Sequence, residues 1–241
     1  MKSGVVPGRA GSALTVTTLP KGTHSLTAVF TPTNPAVYAQ STSAPVPLRV
    51  SQLTALVATA NRHVDETCYQ VAGQGLGAVL TELHVHAVSG GPDVRRAALA
   101  ALAEACIVAA GIARPLGNGE LSILAAKRAT EAAGLTGRPE LAGLTGMTRV
   151  GALVRLGARH RAGTVLTREL ASAEPHADPS APDTAAAEGY GMLHLSGAHL
   201  AAREGRAADA DTHLTEARRL ARATGERNAY RYHFGPANVA A

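Results

Sequence analysis

Residues 1–50 contain no Asp or Glu and alternate like β-strands between Pro, Thr and Ser turns, whereas residues 51–241 are rich in Ala, Leu and Arg at helical spacing. A chain that changes period so sharply cannot fold as one uniform layer. The expected organisation is a β segment over residues 1–50 followed by a helical repeat domain over residues 51–241, and the expected fold class is mainly α. Charge divides at the same place. The first part carries Lys2, Arg9, Lys21 and Arg49 against no acids, which leaves 19 basic and 18 acidic residues for the rest. A nearly balanced helical part lacks the clustered basic footprint of a nucleic-acid surface, so no direct contact with nucleic acid is expected.

Aromatic residues make up 3% of the chain and Trp is absent, so the core must be Leu, Val and Ala, which suits close packing of helices. The separation of the two cysteines, Cys68 and Cys106, fits neither a CxxC motif nor a disulfide framework; the expectation is two buried, reduced thiols and a cytoplasmic location. The start, MKSGVVPGRAGSALTV, has no continuous apolar run, and no stretch approaches the ~20 apolar residues of a membrane helix.

In the first part, residues 12–18 and 23–30 alternate on either side of a Pro20-Lys21-Gly22 turn, a β-hairpin pattern. Tyr38 lies in a Ser/Thr-rich connection, and residues 46–50 read as a third strand whose prolines favour a sheet edge. The stretch TLPKGTHSLTAVFTPTNPAVYAQSTSAPVPLRV, through its LPxGTHxLTAxF and YxxSTS patterns, resembles the C-terminal half of a bacterial immunoglobulin-like repeat of surface proteins over residues 10–51. The resemblance implies an incomplete immunoglobulin-like segment of three strands.

From Ser51 onward the apolar spacing becomes helical. One segment opens with Leu53, Leu56 and Val57, another runs over residues 71–88, and Pro92 marks the next start. Helices are then expected over residues 97–113, 120–133, 140–156, 161–173, 185–203 and 207–224, in antiparallel pairs joined by Gly-containing turns. The first helix of successive pairs closes on Gly117, Gly157 and Gly205. Around Gly205 the small residues Ala198, Ala201, Ala210 and Ala217 match the skeleton of a tetratricopeptide repeat, and Gly157 with Ala162 and Leu166 repeats it. The expected architecture is a tetratricopeptide-like helical-hairpin solenoid.

Two stretches, LTELHVHAVSGGPDVRRAALAALAEACIVAAGIARPLGNGELSILAAKRATEAA and ERNAYRYHFGPANVAA, narrow this reading. They resemble the C-terminal tetratricopeptide-like region of actinobacterial helix-turn-helix transcriptional regulators of the XRE type, over about residues 52–241. The resemblance implies a ligand- or partner-sensing and dimerising module. The DNA-binding domain of that family has no counterpart among these residues, so DNA recognition carries over to none of them.

Arginine recurs just before each turn glycine, at Arg114, Arg155 and Arg203. Counted back from Gly157 and Gly205, Arg155 and Arg203 share a repeat position that in tetratricopeptide arrays lies along the concave groove, with Met147 and His199. A row of guanidiniums there could hold carboxylates bidentately. The alternative is that each arginine satisfies the negative end of its helix dipole and needs no ligand. His84 and His86 are two apart, and His194 and His199 five apart, so neither pair shares a helix face and no metal is expected. Gly73-Gln-Gly75-Leu-Gly77-Ala78 fits GxGxxA, but no strand precedes it and it lies in a helical pattern, so no cofactor is expected. No nucleophile elbow is present, so no enzyme activity is expected either.

The function expected is a non-enzymatic scaffold that binds a peptide or protein in its groove, with self-association through the C-terminal end as a homodimer. A surface structural protein built on the immunoglobulin-like piece, or a fused or truncated reading frame, are the other readings.

Overall fold

Alanine and leucine at positions three and four apart give most of this chain a helical stripe to bury, and the fold follows from how those stripes meet. A computed structural model of the chain describes residues 29–30, 41–42, 48–228 and 232–240. It is mainly helical. The helices are α1 (Val50–Asp65), α2 (Tyr69–Gly73), α3 (Leu76–Ser89), α4 (Pro92–Ala113), α5 (Gly119–Gly134), α6 (Glu140–Arg155), α7 (Arg159–Ala173), α8 (Ala185–Arg203), α9 (Ala207–Thr224) and α10 (Pro236–Ala240).

Of the expected three-stranded segment, Val29–Phe30 (β1) and Ser41–Thr42 (β2) are described, as an antiparallel pair with Val29 opposite Thr42 and Phe30 opposite Ser41. Residues 41–42 thus pair where the sequence suggested a connection. Residues 12–18, the start of 23–30 and residues 46 and 47 lie outside the described residues, and Val50, expected at the end of a strand, is the first residue of α1.

The spacing predicts α8 and α9 to the residue and the other long helices to within a few positions. One expectation fails: residues 71–88 are two helices. Gly75 sits at φ 74°, a left-handed conformation that ends α2 and opens α3, so the GxGxxA stretch spans a break. The linker over residues 174–184 holds a single 3-10 turn, Glu174–His176.

Three hairpins close on the same hydrogen-bonded turn. After α4 the Asn118 N–H donates to the Ala113 carbonyl at 2.9 Å and the Gly117 N–H to Arg114 at 3.2 Å. After α6 the pairs are Ala158 to Leu153 (3.0 Å) and Gly157 to Val154 (3.1 Å); after α8 they are Arg206 to Ala201 (2.9 Å) and Gly205 to Ala202 (3.1 Å). Each is a Schellman motif, and Gly117, Gly157 and Gly205 lie at φ 77°, 76° and 72°, where a Cβ would be strained.

Each of α4, α6 and α8 packs on the helix that follows it, and α6 packs on both α4 and α8. Where α6 meets α8, Gly143 and Gly189 let the backbones touch: a Cβ on Gly143 would lie 2.4 Å from the Gly189 carbonyl carbon. The core runs as successive clusters. Leu53, Leu83 and Leu141 pack around Leu102 and Val108 of α4; Val150, Leu153, Val165, Leu193 and Leu200 join α6, α7 and α8; Tyr190, Leu220, Phe234 and Val239 close α8, α9 and α10. Helix α4 is long and apolar enough to cross a membrane, contrary to the sequence expectation, because its many alanines raise its hydropathy without a long apolar run; 67% of that window is buried inside the fold.

Candidate functional site

Helix α6 packs against both α4 and α8, and each of the three offers the same kind of stripe to one shared cavity. On α4 it is Ile107, Ala110, Gly111 and, at the helix end, Arg114, spaced three or four apart. On α6 it is Met147, Gly151 and Arg155, and on α8 it is Met192, Leu195, Ser196 and His199. Together with Ser122 of α5 and Tyr232 they enclose about 340 Å³, within the range of small-ligand pockets. The floor is apolar and small-sided, and the cationic groups stand at its rim.

Four of the five residues singled out from the sequence, Arg114, Met147, Arg155 and His199, therefore meet in one cavity. Arg203 does not line it: it lies one turn beyond His199 along α8, exposed at the helix end. Met192 was missed as a lining residue, and Tyr232, which the sequence puts in an aromatic cluster with Tyr230 and Phe234 suited either to ligand contact or to packing at the C-terminal end, lines the cavity too. Sequence spacing marks Met192 at seven positions before His199, on the same helix face, whereas Tyr232 arrives from a segment with no helical register to count in.

The electrostatics are one-sided. No Asp or Glu lines the cavity, and among the described residues no ion pair reaches Arg114, Arg155, His199 or Arg203. Arg155 has only a long contact from Nη1 to the Gly151 carbonyl, 3.4 Å. Burial first, and then the neighbouring Arg114 guanidinium, lower its pKa, so the two like charges act on each other across the cavity. Burial pushes the Tyr232 phenol up; its hydrogen bond with Thr148 and the Arg114 charge oppose this, and Asp65 at the end of α1 adds to it.

The hydroxyls around the cavity are spent on structure. Ser122 Oγ donates to the Ala110 carbonyl at 3.1 Å, Thr148 Oγ1 to Leu144 at 2.9 Å and Ser196 Oγ to Met192 at 3.2 Å.

The other sequence candidates fall elsewhere. His84 Nδ1 is 2.7 Å from the Leu80 carbonyl of its own helix, and His86 Nε2 is 2.8 Å from the Leu48 carbonyl, tying α3 to the segment before α1. His194 is buried between Tyr190 and His213. Phe234 is buried over Gly191, so close that a Cβ there would meet its ring at 2.2 Å; Tyr230 lies outside the described residues. Cys106 is buried as expected, but Cys68 is exposed, because it sits on the turn after α1 and not within a helix face.

No protein-family model matches the chain, and no curated protein matches it significantly.

Proposed function

We propose that the helical part is a non-enzymatic, tetratricopeptide-like solenoid that binds an acidic peptide or the acidic segment of a protein along the α4, α6 and α8 face. The observation that carries this is the pair Arg114 and Arg155, two guanidiniums facing one cavity with no carboxylate partner among the described residues. A like-charged pair costs stability unless something of opposite charge completes it, and a planar guanidinium takes a carboxylate bidentately. The apolar floor at Ile107, Met147 and Leu195 offers room for the side chain beside that carboxylate. A helix dipole alone would account for an arginine at each helix end, but not for two converging on one concavity with His199.

The likeness of residues 52–241 to the sensing region of actinobacterial regulators supports the same class of role: a cytoplasmic module that reads a ligand or partner. The three hydroxyls committed to backbone carbonyls support a binding role over a catalytic one.

Fluorescence anisotropy with a labelled oligoglutamate peptide, and an oligolysine peptide as control, tests the proposal. Oligoglutamate binds, and oligolysine does not. Arg114→Ala or Arg155→Ala each weakens binding about tenfold, about 1.4 kcal/mol, and added salt weakens it further. Arg222→Ala, an exposed position on α9 that does not line the cavity, leaves it unchanged. Equal binding by wild type and all three variants would remove the cavity from the account.

A further inference from the structure

Helix α1 ends in the same turn as α4, α6 and α8. The Cys68 N–H donates to the His63 carbonyl at 2.8 Å and the Thr67 N–H to the Val64 carbonyl at 3.0 Å. In this motif the side chain third from the helix end is brought against that of the residue after the left-handed position. In the other three turns those pairs are Ala113 with Asn118, Leu153 with Ala158 and Ala201 with Arg206. After α1 the pair is His63 with Cys68, and the residue between them that caps the helix is Glu66.

Three metal-binding side chains thus converge on one turn. His63 Nδ1 is 3.0 Å from Glu66 Oε2, and Cys68 Sγ folds back to 3.5 Å from the Glu66 carbonyl. The three ligand atoms all lie within 4.8 Å of one another. A tetrahedral ion with bonds of about 2.0–2.3 Å needs its ligands roughly 3.3–3.8 Å apart, so a small opening of the His63–Glu66 contact admits it.

The turn is also built at a conformational cost that its siblings avoid. Thr67 holds φ 58°, where Gly117, Gly157 and Gly205 stand in the equivalent position, and a β-branched residue is rarely found there.

We propose that His63 Nδ1, the Glu66 carboxylate and the Cys68 thiolate form a three-ligand Zn²⁺ site, with a fourth position open to solvent. The ligand set suits the ion: one imidazole, one thiolate and one carboxylate, two negative charges against two positive, at the negative end of a helix dipole. Binding releases the Cys68 thiol proton to solvent and leaves the imidazole neutral at the metal-bound nitrogen. His63 is held in place because its side chain is 12% exposed and lines a small hollow with Leu56, Val71 and Val79. Glu66 and Cys68 are exposed, so the ion has a route in.

Titration of the full chain with Co²⁺, followed by absorption, tests the site. A thiolate-to-cobalt charge-transfer band should appear, saturate at one ion per chain and be displaced by Zn²⁺. Cys106→Ser should keep the band and Cys68→Ser should abolish it while the far-ultraviolet circular dichroism stays unchanged. His63→Gln should weaken the apparent affinity at least roughly tenfold. Zn²⁺ should slow alkylation of Cys68 in the wild type. Absence of the band from the wild type, or an undiminished band in Cys68→Ser, would overturn the proposal.

Discussion

His194 and His213 face each other across the contact between α8 and α9, with their Nδ1 atoms 3.0 Å apart. One must donate and the other accept, an arrangement open to two neutral rings and closed to two imidazoliums. Burial first, then His213, lower the His194 pKa to about 4, with Glu216 opposing and Arg219 reinforcing; burial likewise lowers that of His213. A group whose folded pKa is depressed gives stability that is complete above its unfolded value and is lost as pH falls. Between pH 6.5 and about 4, His194 should remove up to roughly 3 kcal/mol. Urea unfolding against pH should show that slope in the wild type and a flatter one in His194→Gln. The two thiols provide a second contrast at this scale. Burial pushes the Cys106 thiol up to about 11, so alkylation of the native chain should label Cys68 and spare Cys106, as peptide mass mapping will read. The sequence suggested two buried cysteines, because a Thr at the left-handed position gives no sign of the turn that exposes Cys68.

At the scale of elements, close approach is what glycine provides. Gly143 and Gly189 set the crossing of α6 on α8, and with it the facing of Met147 and Arg155 towards Met192 and His199. Gly143→Ala would place a Cβ against backbone that cannot yield, and should cost about 1–3 kcal/mol or more in chemical denaturation. Gly163→Ala, in the middle of α7 with its new Cβ 4.0 Å from Leu200, should instead gain about 0.5–1 kcal/mol. Equal effects at both sites would contradict the packing described. The long helices could be read from apolar spacing because tertiary contacts here reinforce a period already in the chain. The turn glycines were legible for the same reason: only a left-handed residue closes the Schellman turn, and Gly117, Gly157 and Gly205 each follow a helical stripe. The break at Gly75 was hidden, since the apolar pattern runs through it and a glycine inside a helix is tolerated. The α6–α8 contact was hidden too, because a glycine in a helix does not reveal which neighbour it admits.

At the scale of the whole molecule, the fold makes one surface from three helices that are far apart in sequence. Counting back from the turn glycines was enough to bring Arg155 to that surface. Arg114, Met147 and His199 join it there, whereas Arg203 lies a turn too far along α8, a distance of about 5.4 Å that repeat counting does not resolve. Tyr232 completes the wall from the segment that leads to Phe234 and α10. The central claim is that an acidic ligand sits in this cavity, and the methionines offer a direct reading of it. The chain has three: Met147 and Met192 line the cavity, and Met1 opens the sequence. With methyl-labelled methionine, a nuclear magnetic resonance titration with oligoglutamate should move the Met147 and Met192 signals along one binding curve, and Arg155→Ala should shift that curve to higher peptide concentration. Saturable binding of the peptide with both cavity methyls unmoved would contradict the account.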